Sequence, residues 1–308
     1  MRRRLADSLR HIWEQSNGCL TVSEDKLQEF LLRLDRHPVS PLTFTYYFDA
    51  VMSIEEDNLE ESSRLINEML LVTAPKAGTQ IIELGDPRQD AIAQRYAKFI
   101  DTDPSFQFEI FPPSRPAADT CRAQIKGAFA LMEAGDPALT GEIKTLLHEI
   151  ILAAGTENKN AMTFDGASSF MLWGAIMINA NRHDGELEMV QMLAHESAHN
   201  LLFGLSADGE LVENTAEERF SSPLRKDPRP MDGIYHATFV TARMHRSVKT
   251  LLDSGTLSTP LREKALKDLE TDTRLFKQGI ETVQKHGKLS PLGAEVMQGA
   301  IDYMAPFV

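Results

Sequence analysis

The amino-acid sequence predicts an α+β protein that is mostly α-helical. Three observations lead there. Long stretches repeat apolar residues every three or four positions, most clearly over 186–203, 234–252 and 260–285. Between them lie short apolar or alternating runs of strand length, such as Thr79–Gly85 and Phe170–Ile178. At 42% apolar and 25% charged residues, the composition is that of an ordinary globular chain.

Taken in order, the elements each have a local reason. The start, Met1-Arg2-Arg3-Arg4, is basic, but Asp7, Arg10 and Glu14 break up the next residues, so no signal-peptide core forms and the arginines read as solvated and mobile. Ser23 is placed to cap a helix carrying Leu27, Phe30, Leu31 and Leu34, and His37-Pro38 ends it. Leu42 to Val51 is rich in Thr, Tyr and Phe and is ambiguous between helix and strand. Leu59 to Leu71 returns to helical spacing through Leu65, Ile66, Met69 and Leu70. Thr79–Gly85 reads as a strand, Pro87 to Phe99 as a helix, and Phe106 to Phe111 as an alternating strand. Pro112–Pro116 is a loop. Helices fit Ala117–Ala134 and Pro137–Leu147, and a polar, turn-like stretch runs from Gly155 to Gly166. The run FMLWGAIMI, Phe170 to Ile178, reads as a buried strand holding Trp173, Met171 and Met177. Helices then cover Glu186–Phe203, Ile234–Leu252, Pro260–Lys285 and Pro291–Tyr303. There is no internal repeat. If the chain divides, it does so near residue 150, into a mostly helical region, 1–150, suited to substrate recognition, and a region 151–308 that carries the chemistry.

Charge and cysteine content narrow the class of function. Lys plus Arg at 32 against Asp plus Glu at 45 leaves a net charge of −13, which disfavours non-specific binding to nucleic acid or anionic membrane. No apolar run approaches the roughly 20 residues that span a bilayer. Cys19 and Cys121 have no spacing for zinc or a redox pair. These features point to a soluble, cytoplasmic protein whose metal, if it holds one, is bound by nitrogen and oxygen.

One motif stands out: His195-Glu196-Ser197-Ala198-His199, an H-E-x-x-H. On a helix two histidines four apart share a face and can hold one ion. Leu187, Val190, Ala194, Ala198, Leu201 and Leu205 form an apolar stripe beside them, which supports the helix. With the strand before it, the arrangement is zincin-like. A third donor is needed. Glu213, Glu217 and Glu218 come 14, 18 and 19 residues after His199, and the last two fit a pattern in which a downstream helix supplies a carboxylate. The other candidate is His236. It is reached through Ser222-Pro223-Leu224-Arg225-Lys226-Asp227-Pro228-Arg229-Pro230-Met231-Asp232-Gly233-Ile234-Tyr235-His236, a proline-stiffened segment that brings two arginines to the histidine. Arg243, seven residues on, shares its helix face. Guanidinium groups beside a metal suit a carboxylate cosubstrate.

The pairing of H-E-S-A-H with a downstream S-P-x-R-x-D-P-R-P-x-x-G-x-x-H, some 36 residues on, resembles the HExxH domain of peptide-modifying proteins that accompany ribosomally made, post-translationally modified peptides. The resemblance covers roughly Phe170 to Met244. It implies an iron(II), 2-oxoglutarate-dependent dioxygenase that hydroxylates the β-carbon of residues in a precursor peptide. It further implies His195, His199 and His236 as metal ligands, and Arg229, with Arg225 and Arg243 as alternatives, for the cosubstrate carboxylate. Glu196 would then orient a ligand imidazole. Two other readings stand beside it. In a gluzincin-like zinc metallopeptidase, Glu217 or Glu218 would complete the Zn²⁺ site and Glu196 would be the general base. A peptide-binding scaffold would have lost the metal. His183 and His245 read as outer or surface residues.

Overall fold

A computed structural model describes residues 1–100, 109–156, 163–182, 184–222 and 227–308. Among these residues the chain is α+β and mostly helical, with eleven α-helices, one small mixed sheet and a two-stranded ribbon. None of these helices is long and apolar enough to cross a membrane. The chain forms two compact units, each discontinuous in sequence: Met1–Ala118 with Leu147–Asn181, and Asp119–Leu146 with Arg182–Val308.

The first unit begins with helices α1 (Arg2–Gln15), α2 (Glu24–Arg36), α3 (Leu42–Glu55) and α4 (Leu59–Leu71). Ser23 accepts a bond from the Lys26 N–H and so caps α2, a contribution of about 1 kcal/mol. Leu27, Phe30, Leu31 and Leu34 bury its apolar stripe against Leu5, Leu9, Leu65 and Met69. The ambiguous aromatic stretch is the helix α3, whose Phe44 and Ala50 join the same core. Arg2 is not free at the N-terminus: its Nη1 donates to the carbonyls of Leu34 and His37, closing the end of α2.

The sheet is built from β1 (Gln80–Glu83), β2 (Ile110–Phe111), β3 (Glu149–Gly155), β4 (Gly166–Ala167) and β5 (Ala175–Asn179). The order is β1-β3-β5-β4, with β2 on the end of β3. β1, β3 and β5 are parallel, and β2 and β4 antiparallel to their neighbours. β3, which the sequence pattern does not predict, is the central strand and is buried throughout. Helix α5 (Ala91–Ile100) sends Tyr96 and Phe99 onto one face of the sheet, over Ile151, Ala153 and Met177. The expected strand over Phe170–Ile178 is shorter. Ser169 caps a 3₁₀ turn at Phe170–Leu172, and the chain reverses through Gly174 at φ +92°, a backbone region that suits glycine. Only then does β5 begin. Met177 lies in it, whereas Met171 and Trp173 do not.

The remaining helices are α6 (Arg115–Gly135), α7 (Pro137–Leu146), α8 (Glu186–Leu205), α9 (Met231–Ser254), α10 (Thr259–His286) and α11 (Pro291–Met304). α6 begins within the stretch expected to be a loop, at Arg115. In the second unit α9 packs between α8 and α10, around Leu202, Tyr235, Val240, Phe276 and Met304. Glu186 and Glu188 sit in the first turn of α8, where carboxylates complement the helix dipole. The ribbon, β6 (Arg219–Phe220) with β7 (Arg229–Pro230), leads directly into α9.

Candidate metal centre

The H-E-x-x-H lies in the middle of α8, a helix the sequence marks by its apolar stripe, and His236 lies in the second turn of α9. Packing of the two helices brings the three imidazoles together. His195 Nε2 and His199 Nε2 stand 3.2 Å apart. Two metal–nitrogen bonds of about 2.0–2.1 Å meeting near a right or tetrahedral angle put their donors about 3 Å apart, so this spacing matches a shared ion. On the other side of the same ring, His199 Nδ1 lies 3.0 Å from His236 Nδ1. The His199 and His236 rings stack at 5.2 Å between centroids, with Phe203 5.5 Å from His236.

The remote nitrogens decide what the near ones can do. His195 Nδ1 is 3.3 Å from Met244 Sδ, a weak acceptor that favours a proton on Nδ1. A proton on His199 Nδ1 can be donated to His236 Nδ1. With those protons in place, the two Nε2 lone pairs face each other across 3.2 Å, an arrangement relieved only by a cation or a shared proton. Burial lowers the pKa of His195 to about 4. Burial, reinforced by the neighbouring His195 and His236, holds His199 well below the usual imidazole value. Burial also lowers His236, partly opposed by Asp232, whose Oδ1 is 3.9 Å from His236 Nε2. Neutral imidazoles are what a metal requires.

His199 uses opposite nitrogens toward its two neighbours, so one ion cannot lie in both gaps. As they stand, His195 and His199 turn their Nε2 atoms toward one another, and His236 meets the opposite edge of the His199 ring. Ligation by His236 itself takes a turn of its ring. Accordingly, among the described residues no three His, Cys, Asp or Glu side chains form a finished ligand set.

The downstream glutamates are held elsewhere, and the backbone shows why. The segment after α8 is tied to the α10–α11 connection: Val212 bridges Leu289, Glu213 N–H donates to the Lys288 carbonyl, and Ser290 N–H donates to the Leu211 carbonyl. A Cβ on Gly293 would meet the Leu211 carbonyl oxygen at 1.9 Å, so only glycine permits this approach. Glu218 is consequently engaged by Asn214, the Thr215 N–H and Lys288 Nζ at 3.0 Å, while Glu217 is exposed. These contacts, with Lys288 the leading cause for Glu218, lower its pKa, and backbone and Thr215 contacts lower that of Glu217. The segment holds no α-helix to carry either carboxylate, and neither one pairs with the three rings.

Glu196 is buried at 4% exposure on α8. By helical geometry it lies about 100° round from His195 and about 60° from His199, flanking both. Arg229, on β7, has its Nε 2.9 Å from the exposed Asp227 carboxylate. Arg243 is committed to Glu142 on α7, and Arg246 to Asp136 at 3.1 Å. Burial lowers the Arg243 pKa despite Glu142. Arg225 and His183 lie outside the described residues. His245 is not a surface residue: it is 1% exposed and bonds Tyr303 Oη through Nδ1 at 2.8 Å, and burial lowers its pKa to about 4. Met244 and Phe203, which pack on the histidines, carry no motif, and only their helical register relative to His236 and His199 could have pointed to them.

No family model matches the chain, and no curated protein is significantly similar to it.

Proposed function

We propose that the chain is a metal-dependent oxygenase: an iron(II), 2-oxoglutarate-dependent enzyme that hydroxylates the β-carbon of a residue in a ribosomally made precursor peptide. The observation that carries this reading is the meeting of His236 with His199 at 3.0 Å, while Glu218, a carboxylate expected in a gluzincin-like site, is engaged by Asn214 and Lys288. The donor set fits the group, because neutral imidazoles suit ferrous iron. His195 and His199 would hold the metal through Nε2, with His236 as third ligand after its ring turns. Iron bound there with 2-oxoglutarate supplies the oxidising power that places one oxygen atom of O₂ in a C–H bond and the other in succinate, with release of CO₂. The protein's part is to keep the three rings neutral by burial, to hold their remote nitrogens, and to orient the cosubstrate. Arg229 would receive the distal carboxylate. It lies on β7, the strand that leads into the helix of His236, and its Nε pairs with an exposed aspartate. Arg243 would first have to leave Glu142.

A second reading, a zinc metallopeptidase with Glu196 as general base, is favoured by one observation: Glu196 is buried beside the histidine pair. It would have to use His236 in place of a glutamate. The two readings separate in one assay. Protein purified without oxygen and given Fe²⁺, 2-oxoglutarate and then air releases succinate under the first reading, even without peptide, through uncoupled turnover. Stoichiometric zinc with peptide cleavage and no succinate refutes it.

A further inference from the structure

The first unit contains a cavity of about 720 Å³, formed by the end of α4 and residues 72–76, β1, the start of α5, and Glu149 at the head of β3. That size suits a small organic ligand or one long side chain. Much of the wall is apolar, from Leu42, Leu71, Val72, Ile82 and Ile92. Glu149 breaks this pattern. It is 8% exposed, and its two oxygens accept bonds from Ser40 Oγ at 3.0 Å and Tyr96 Oη at 2.5 Å. Both partners donate, so the carboxyl is presented as an acceptor. Yet no Lys or Arg among the described residues pairs with it.

The surrounding charges do not supply that cation. Glu68 at the rim is already matched by Arg64. Asp90 caps α5 by accepting from the Ile92 and Ala93 N–H groups and adds negative charge. Lys76 is the one cation among the described lining residues, and it makes no ion pair with Glu149. Burial raises the pKa of Glu149 against the opposing bonds from Tyr96 and Ser40, and burial also raises that of Tyr96. An ionisable group in such a place is costly to charge unless a cation joins it. Pinning Ser40 and Tyr96 alone would be served as well by a neutral amide.

We propose that this cavity binds an alkyl guanidinium or alkyl ammonium group, the side-chain chemistry of arginine and lysine, with its charge on Glu149 and its stem along the apolar wall. The inference is independent of the metal reading. Calorimetric titration of the full chain near neutral pH tests it with agmatine, with the blocked tripeptide acetyl-Ala-Arg-Ala-amide, and with the uncharged citrulline counterpart. One saturable site is expected for an arginine-type probe, with citrulline and the E149Q variant each weakening binding at least about tenfold. Tighter binding of the tripeptide than of agmatine identifies a peptide-borne side chain as the ligand, and the reverse a free amine. Absence of saturable binding at about millimolar probe, equal affinity for citrulline, or undiminished binding by a folded E149Q overturns the proposal. The citrulline comparison uses the unaltered protein, so it decides the matter even if E149Q does not fold.

Discussion

With the proton of His199 on Nδ1, replacing His236 by alanine removes the acceptor 3.0 Å away. The His199 N–H then faces a hole in surroundings already dry enough to hold the ring neutral. Leaving a buried donor unsatisfied costs about 1–3 kcal/mol. Where the metal-bound state depends on that proton, the cost becomes a loss of about 5- to 150-fold in metal affinity. Loss of an orienting partner alone is worth about 10- to 100-fold, in the same range. The two roles open to His236 separate in the His236→Gln variant. A glutamine oxygen can accept the His199 N–H, so affinity returns to within about tenfold of the parent if His236 acts only through His199. It stays low if His236 binds the metal. Competition with a chromophoric chelator, using Zn²⁺ or Co²⁺ in air and Fe²⁺ without oxygen, measures both variants. Metal affinity unchanged in His236→Ala would show that His236 neither binds the metal nor supports His199.

Other outcomes rest on the same structure. Asp272 on α10 is 3% exposed, its Oδ2 has no hydrogen-bond partner among the described residues, and burial with nearby Asp268 raises its pKa from 3.8 to about 7. The folded state keeps this proton where the unfolded chain has lost it, so stability falls as pH rises from about 4 to about 7, by about 4 kcal/mol when complete. Asp272→Asn should therefore stabilise the protein to urea at pH 8 and change little at pH 4; equal effects at both would contradict the assignment. Glu196→Gln should preserve succinate formation, whereas a peptidase would lose about 10²–10⁴-fold in rate. Arg229→Ala should raise the KM for 2-oxoglutarate at least about tenfold with a smaller change in kcat, and an unchanged KM would remove Arg229 from the cosubstrate site.

The helices were largely legible in the sequence because their apolar stripes meet their capping residues, as at Ser23 before α2. α3 was not, since its Thr, Tyr and Phe residues suit a strand equally and packing against α4 decides for helix. β3 is hidden in the sequence for a different reason. Ile150, Ile151 and Leu152 are buried on both faces of the sheet, so the strand shows no alternation. The H-E-x-x-H is legible because helix spacing fixes it, and His236 is legible as a candidate, but its approach to His199 depends on the packing of α9 against α8. The placement of Glu217 and Glu218 was not legible, since it depends on backbone bonds to 288–290, far along the chain. Nor was the commitment of Arg243 to Glu142, which depends on where α7 packs.

The proposed activity requires that the histidines of α8 and α9 hold one metal ion per chain. Equilibrium dialysis against Fe²⁺ without oxygen, with elemental analysis of the protein, tests it most directly on the parent and on His195→Ala and His199→Ala variants shown to be folded. One equivalent per parent chain and essentially none in either variant is the predicted result. No metal in the parent, or an equivalent retained by both variants, would contradict it.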